Sequence, residues 1–206
     1  ELKAAIGESS KVLFGAGFVL MFTVPMVRIL INSGVNGAEL DSMPIAIASF
    51  VAQTFGDVYP FFTATVGAMG AFIAGSNTVS NMMFAYFQFS TAQQIALNLD
   101  QSAVVVALQA VGGAAGNMIC VHNVVAAGAV VGMMNREGEV IRKTLVPMAY
   151  YCIQAGLIGQ ALITGSLGWW MAAAVWLVVV LVALSMTKGK PLAASGHQGQ
   201  NLAAAR

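Results

Sequence analysis

Polar and apolar positions along this chain separate into long uncharged blocks and short charged turns. Residues 58–99 carry no charge, residues 42–135 hold only Asp57 and Asp100, and residues 144–187 hold none. Apolar runs of about 18 residues or more predict membrane-crossing helices. The first predicted span is 12–31, where Pro25 should introduce a kink and Arg28 can reach back to the interface. A polar turn over 32–37 follows, with Glu39 and Asp41 behind it. Asp41 or Ser42 can cap the next helix, and Pro44 suits its first turn. That helix, 43–56, reaches about 21 Å, which is short for a span and fits an interfacial or buried position.

The next block predicts two short helices, 60–74 and 79–89, around the polar tip Gly75-Ser76-Asn77-Thr78. Such a pair describes a re-entrant hairpin that enters and leaves the bilayer on one side. The alternative, a single helix over 60–89, would run to about 45 Å and overshoot the hydrocarbon core unless strongly tilted. Ser, Asn and Thr also favour caps over helix interiors. Residues 90–100 are polar and predict an interfacial linker. The uncharged region 101–134 is interrupted by Gly112-Gly113-Ala114-Ala115-Gly116-Asn117, where glycines allow either close helix packing or an unwound middle. A charged loop with Arg136, Glu137, Glu139, Arg142 and Lys143 precedes spans at 145–164 and 167–186. Gly165-Ser166 joins those spans, and Trp169 and Trp170 fit an interfacial belt. The fold class expected is an all-α integral membrane protein: a polytopic helical bundle with a re-entrant hairpin and a broken transmembrane helix. The transmembrane domain is expected over 1–186 and a disordered polar tail over 187–206.

Composition agrees: 58% of residues are hydrophobic and 8% charged, against about 25% charged in soluble domains. A soluble helical core would need polar solvent faces that these helices lack. The net charge of +1 leaves no footprint for nucleic acid. Cys120 and Cys152 lie in apolar segments and read as small core residues. No residue spacing suggests a metal site, a cofactor, a nucleotide loop or a catalytic triad, so no enzyme is expected. The N-terminus does not read as a signal peptide, and the chain reads as a piece of something longer. The Lys/Arg excess of the 136–143 loop and the tail places both in the cytoplasm. Counting back puts the 90–100 linker, Asp57 and the Glu39/Asp41 turn outside and the N-terminus inside.

Candidate chemistry gathers at the two polar breaks. Ser76, Asn77 and Thr78 precede a half-helix whose free amides and dipole favour an anion, while their side-chain oxygens could equally hold Na⁺. The plainer reading is that they cap the helix. Asn81 shares their face. Gly116 and Asn117 would form a second helix start within the membrane, and two such starts crossing near the midplane can build a solute site. His122 is the one histidine in the membrane region, and an imidazole there could carry a proton; it could also simply bond a neighbouring helix. Asp57, just before the hairpin, is the second candidate for proton coupling, against ordinary solvation at a boundary. Gln109, Gln154 and Gln160 read as helix–helix hydrogen-bonding residues.

The run Gly70-Ala71-Phe72-Ile73-Ala74-Gly75-Ser76-Asn77-Thr78-Val79-Ser80-Asn81-Met82-Met83-Phe84 resembles the bacterial L-lactate permease family, as does Gly112-Gly113-Ala114-Ala115-Gly116-Asn117-Met118-Ile119-Cys120-Val121-His122-Asn123-Val124-Val125-Ala126. The resemblance covers most of 10–186 and matches the C-terminal portion of such permeases. It implies proton symport of L-lactate, D-lactate or glycolate across the inner membrane by a longer multi-pass protein, with Ser76, Asn77, Thr78, Gly116 and Asn117 as substrate contacts. The tip also resembles that of a wider ion-transporter superfamily, in which inverted repeats each supply a hairpin and a broken helix, often with Na⁺. The implied partners are lactate or glycolate, protons, membrane lipid and the N-terminal half of the permease. A sodium-coupled carboxylate transporter, and a non-transporting fragment that packs against the missing half, are the alternatives. A membrane enzyme using His122 and Asp57 is the more distant one.

Overall fold

The computed structural model describes residues 6–7, 10, 21–22, 25–26, 28–29, 32–131, 133 and 136–187. The span expected over 12–31 falls largely outside them, and the tail beyond Thr187 entirely. All regular structure among the described residues is helical: α1 (Met43–Phe55), a 3₁₀ turn (Gly56–Val58), α2 (Tyr59–Ala74), α3 (Asn77–Gln94), α4 (Leu99–Gly116), α5 (Val121–Val130), α6 (Glu137–Thr164) and α7 (Leu167–Thr187). Among the described residues, four segments are long and apolar enough to cross a membrane: Met43–Ala74, Leu99–Gly128, Glu137–Thr164 and Leu167–Met186. The chain is a multi-pass helical membrane protein. The first of these segments is interrupted, because Gly56 at φ +51° and the 3₁₀ turn end α1, which packs against α3.

Local sequence sets the helix ends. Pro60 sits in the first turn of α2, where its missing N–H costs nothing. Asn98 and Gln101 form a reciprocal capping box at the start of α4. Glu139 joins Arg136 at 2.6 Å and Lys143 at 2.8 Å on the exposed first turns of α6, and these i,i+3 and i,i+4 pairs make helix where a loop was expected over 136–143. Gly165, at φ +64°, ends α6.

By its contacts the chain divides into two units, 1–173 and 174–206. In the first, α2 packs against α3, α4 and α6. Gly112 and Gly116 of α4 meet the backbone of Ala64 and Ala68, so α2 and α4 run parallel. Gly156 of α6 meets the Phe61 carbonyl and Cys152 Sγ lies 3.8 Å from the Ala64 carbonyl, so α6 runs the other way. Small residues at these crossings let backbones touch where lipid supplies no hydrophobic drive between helices. Two side-chain bonds join α6 to its neighbours at one end: Gln160 Nε2 donates to the Asp57 carbonyl at 2.6 Å, and Gln101 Nε2 to the Ile163 carbonyl at 2.9 Å. The second unit holds the remainder of α7, where Val175, Val178, Leu181 and Leu184 are exposed apolar side chains.

Further boundaries differ from the sequence expectation. The second hairpin helix runs over Asn77–Gln94 rather than 79–89, because Thr91 and Ala92 turn inward and are buried. The linker before α4 shrinks accordingly. The break expected over 112–117 lies instead between Gly116 and Val121; the three glycines stay helical because α4 needs them where it touches α2.

Candidate solute site at two helix starts

The hairpin turns through two residues, Gly75 and Ser76. Gly75 takes φ +74° and donates its amide to the Ala71 carbonyl at 2.8 Å, a left-handed helix ending that suits glycine. Ser76 is extended, and its Oγ accepts the Val79 amide at 3.4 Å. The capping reading of Ser76 therefore holds. The amides of Asn77 and Thr78 are first-turn groups, which have no partner within a helix.

Gly116 and Asn117 do not open a helix, contrary to expectation. Gly116 is buried against Ala68, and Asn117 closes α4 with its amide 3.3 Å from the Gly113 carbonyl. The second helix start is α5, with Cys120 at its N-cap position and no side-chain cap. His122 and Asn123 lie in its first turn. This start meets the hairpin tip: a Cβ built on Gly75 would lie 3.0 Å from His122 Nδ1 and 3.4 Å from Cys120 Sγ. Cys120 Sγ and His122 Nδ1 are themselves 3.7 Å apart. Two helix N-termini thus adjoin, three residues later on the second helix than the sequence suggested.

Around them, the Oδ1 atoms of Asn77, Asn81 and Asn117 are buried without a hydrogen-bond partner. Unpaired buried acceptors are costly and rare. Asn77 Oδ1 rests against Gly113 of α4. Asn123 Nδ2 donates to the Asn117 carbonyl at 3.3 Å. Thr78, His122 and Asn123 are exposed. The arrangement offers first-turn amides for an anionic group and carboxamide oxygens for a hydroxyl, a water or a small cation.

Asp57 is not part of this constellation. It lies at the opposite end of α2, about 24 Å away along the helix, where it lines a cavity with Ser49, Gln53 and Gln94. Gln109 and Gln160 bond across helices as the sequence suggested, while Gln154 Oε1 is buried without a partner. Sequence reasoning missed Ser80 and Gln88. Both are fully buried, and their spacing from Asn77 along one polar face of α3 was the available signal.

The L-lactate permease family matches residues 1–165. A Haemophilus influenzae protein, provisionally named as an L-lactate permease, is 42% identical over 129 residues, covering 63% of this chain and 24% of that protein. The glycolate permease of Escherichia coli K12 is 35% identical over 116 residues, or 56% of this chain and 20% of that one. The L-lactate permease of Bacillus subtilis strain 168 is 33% identical over 90 residues, covering 44% and 16%. The chain thus spans about a quarter or less of these curated relatives, and no solved structure matches it. With four-fifths of its length matched, this chain belongs to the L-lactate permease family.

Proposed function

We propose that this segment supplies one wall of the solute site in a permease that carries lactate or glycolate across the bacterial inner membrane together with protons. The observation that carries the reading is the meeting of two helix starts, α3 and α5, beside three buried carboxamide oxygens without partners. The substrate carboxylate takes the first-turn amides, and its hydroxyl donates to a carboxamide oxygen. Relatives named for lactate and for glycolate support this substrate class. The substrate contacts are Ser76, Asn77, Thr78, Asn81 and Asn117, and Gly116 acts by letting α4 approach α2. His122, beside the tip, carries the proton in preference to the distant Asp57. The hairpin is re-entrant, and the remainder of the permease covers exposed Thr78, His122 and Asn123, since polar groups at membrane depth do not face lipid.

The three carboxamide oxygens favour a second reading, coupling to Na⁺. Lactate uptake into proteoliposomes containing the full-length permease separates the two. Accumulation driven by a pH gradient without Na⁺ supports proton symport; accumulation that needs a Na⁺ gradient supports the alternative. The site itself is tested by calorimetry on the same protein. Asn77→Ala or Asn117→Ala should weaken lactate binding about two- to tenfold, the cost of roughly 0.5–1.5 kcal/mol for a hydrogen bond between neutral groups. Unchanged affinity in both variants would remove these residues from the site.

A further inference from the structure

Inside the hairpin runs a polar chain that the solute site does not use. The Tyr59 hydroxyl donates to Gln88 Oε1. Gln88 Nε2 donates to Gln109 Oε1 at 2.8 Å, Gln109 Nε2 to Ser80 Oγ at 3.0 Å, and Ser80 Oγ to the Gly67 carbonyl at 2.9 Å. Gln88, Gln109 and Ser80 are 0% exposed and Tyr59 is 2% exposed. Each link is directional, and a shift of α4 by one residue would leave buried amides without partners. The chain therefore fixes the register of α4 against both arms of the hairpin.

Its last side-chain link lies next to the site. Ser80 is three residues after Asn77 on α3, and Gly113 is four residues after Gln109 on α4. The Ser80–Gln109 bond and the Asn77–Gly113 contact are thus successive rungs of one seam, about one helical turn apart. Resting on the lactate-site reading above, we infer that Gln109 is a positioning residue for solute binding: it holds Ser80, and through the seam it seats the Asn77 carboxamide against Gly113. It does not touch the solute.

The test is a double-variant cycle in the full-length permease, with L-lactate affinity read by calorimetry. Gln109→Met keeps the side chain's length and removes its hydrogen bonds to Gln88 and Ser80. It should weaken affinity roughly three- to tenfold in the native background and not at all when Asn77 is already alanine, because coupled residues are not additive. Ser80→Ala should behave the same way, and it serves if Gln109→Met fails to insert. Gln101→Met cuts a comparable bond to the Ile163 carbonyl at the far end of α4 and should leave affinity unchanged. If Gln109→Met and Ser80→Ala keep native affinity, or weaken it equally with and without Asn77, the positioning role is overturned while the site stands. If Asn77→Ala itself has no effect, Asn77 does not contact the solute and this inference falls, while Asn117→Ala still tests the site.

Discussion

The Oδ1 atom of Asn77 occupies the space that a Cβ on Gly113 would fill. Any side chain at Gly113 must therefore displace the tip carboxamide or push α3 from α4. We expect Gly113→Ala to weaken lactate binding about as much as Asn77→Ala does, roughly two- to tenfold. Combining the two should relieve the clash, so thermal stability should recover while affinity stays low. Native affinity in Gly113→Ala would show that Asn77 need not sit there.

Gly112 faces Ala64 so closely that a β-carbon would overlap its carbonyl. Gly112→Val should force α2 and α4 apart and destabilise the fold by about 1–3 kcal/mol, the usual cost of overpacking. A melting temperature in detergent equal to that of the unaltered permease would contradict the parallel contact.

Asp57 and Gln94 line one cavity although they stand at opposite ends of the hairpin sequence. Cysteines placed at either position should label from the same side of the membrane, the outer one, with an impermeant thiol reagent. A cysteine at Lys143 should label from the cytoplasmic side. The native Cys120 and Cys152 are buried and should stay silent. Labelling of positions 57 and 94 from opposite sides would rule out a re-entrant hairpin.

His122 Nδ1 lies 3.0 Å from where a Cβ on Gly75 would stand, so its imidazole is the group nearest the tip that could pass a proton with the solute. His122→Gln should abolish pH-driven accumulation of lactate yet leave downhill exchange of labelled lactate intact. Full accumulation in this variant would exclude His122 as the carrier and turn attention to Asp57.

The hairpin and its tip were legible because a polar cluster in an uncharged block has few places to go at membrane depth. The end of α3 was harder to read. Thr91 and Ala92 look like linker residues by composition, yet both are buried in the bundle and the Thr91 hydroxyl donates to the Phe87 carbonyl one turn back, so the helix runs on to Gln94. Glycines 112, 113 and 116 mislead for a related reason. In isolation they weaken a helix; here they are the price of bringing α4 onto α2 and onto Asn77. The start of α5 was missed because Cys120 and Val121 carry no capping signature. The meeting of His122 with Gly75 depends on tertiary placement alone, which no local pattern encodes.

The side-chain bonds from Gln160 to the Asp57 carbonyl and from Gln101 to the Ile163 carbonyl lie at the end of the bundle remote from the tip. Nearer the tip, α6 meets its neighbours by packing: Cys152 clusters with Ala68 and Ala115, and Met148 and Met118 pack against them. A hydrogen bond fixes direction and register, whereas a methionine adapts to the space it is given. The seam of α6 is therefore sharply specified at the Asp57 end and forgiving at the end that adjoins the tip.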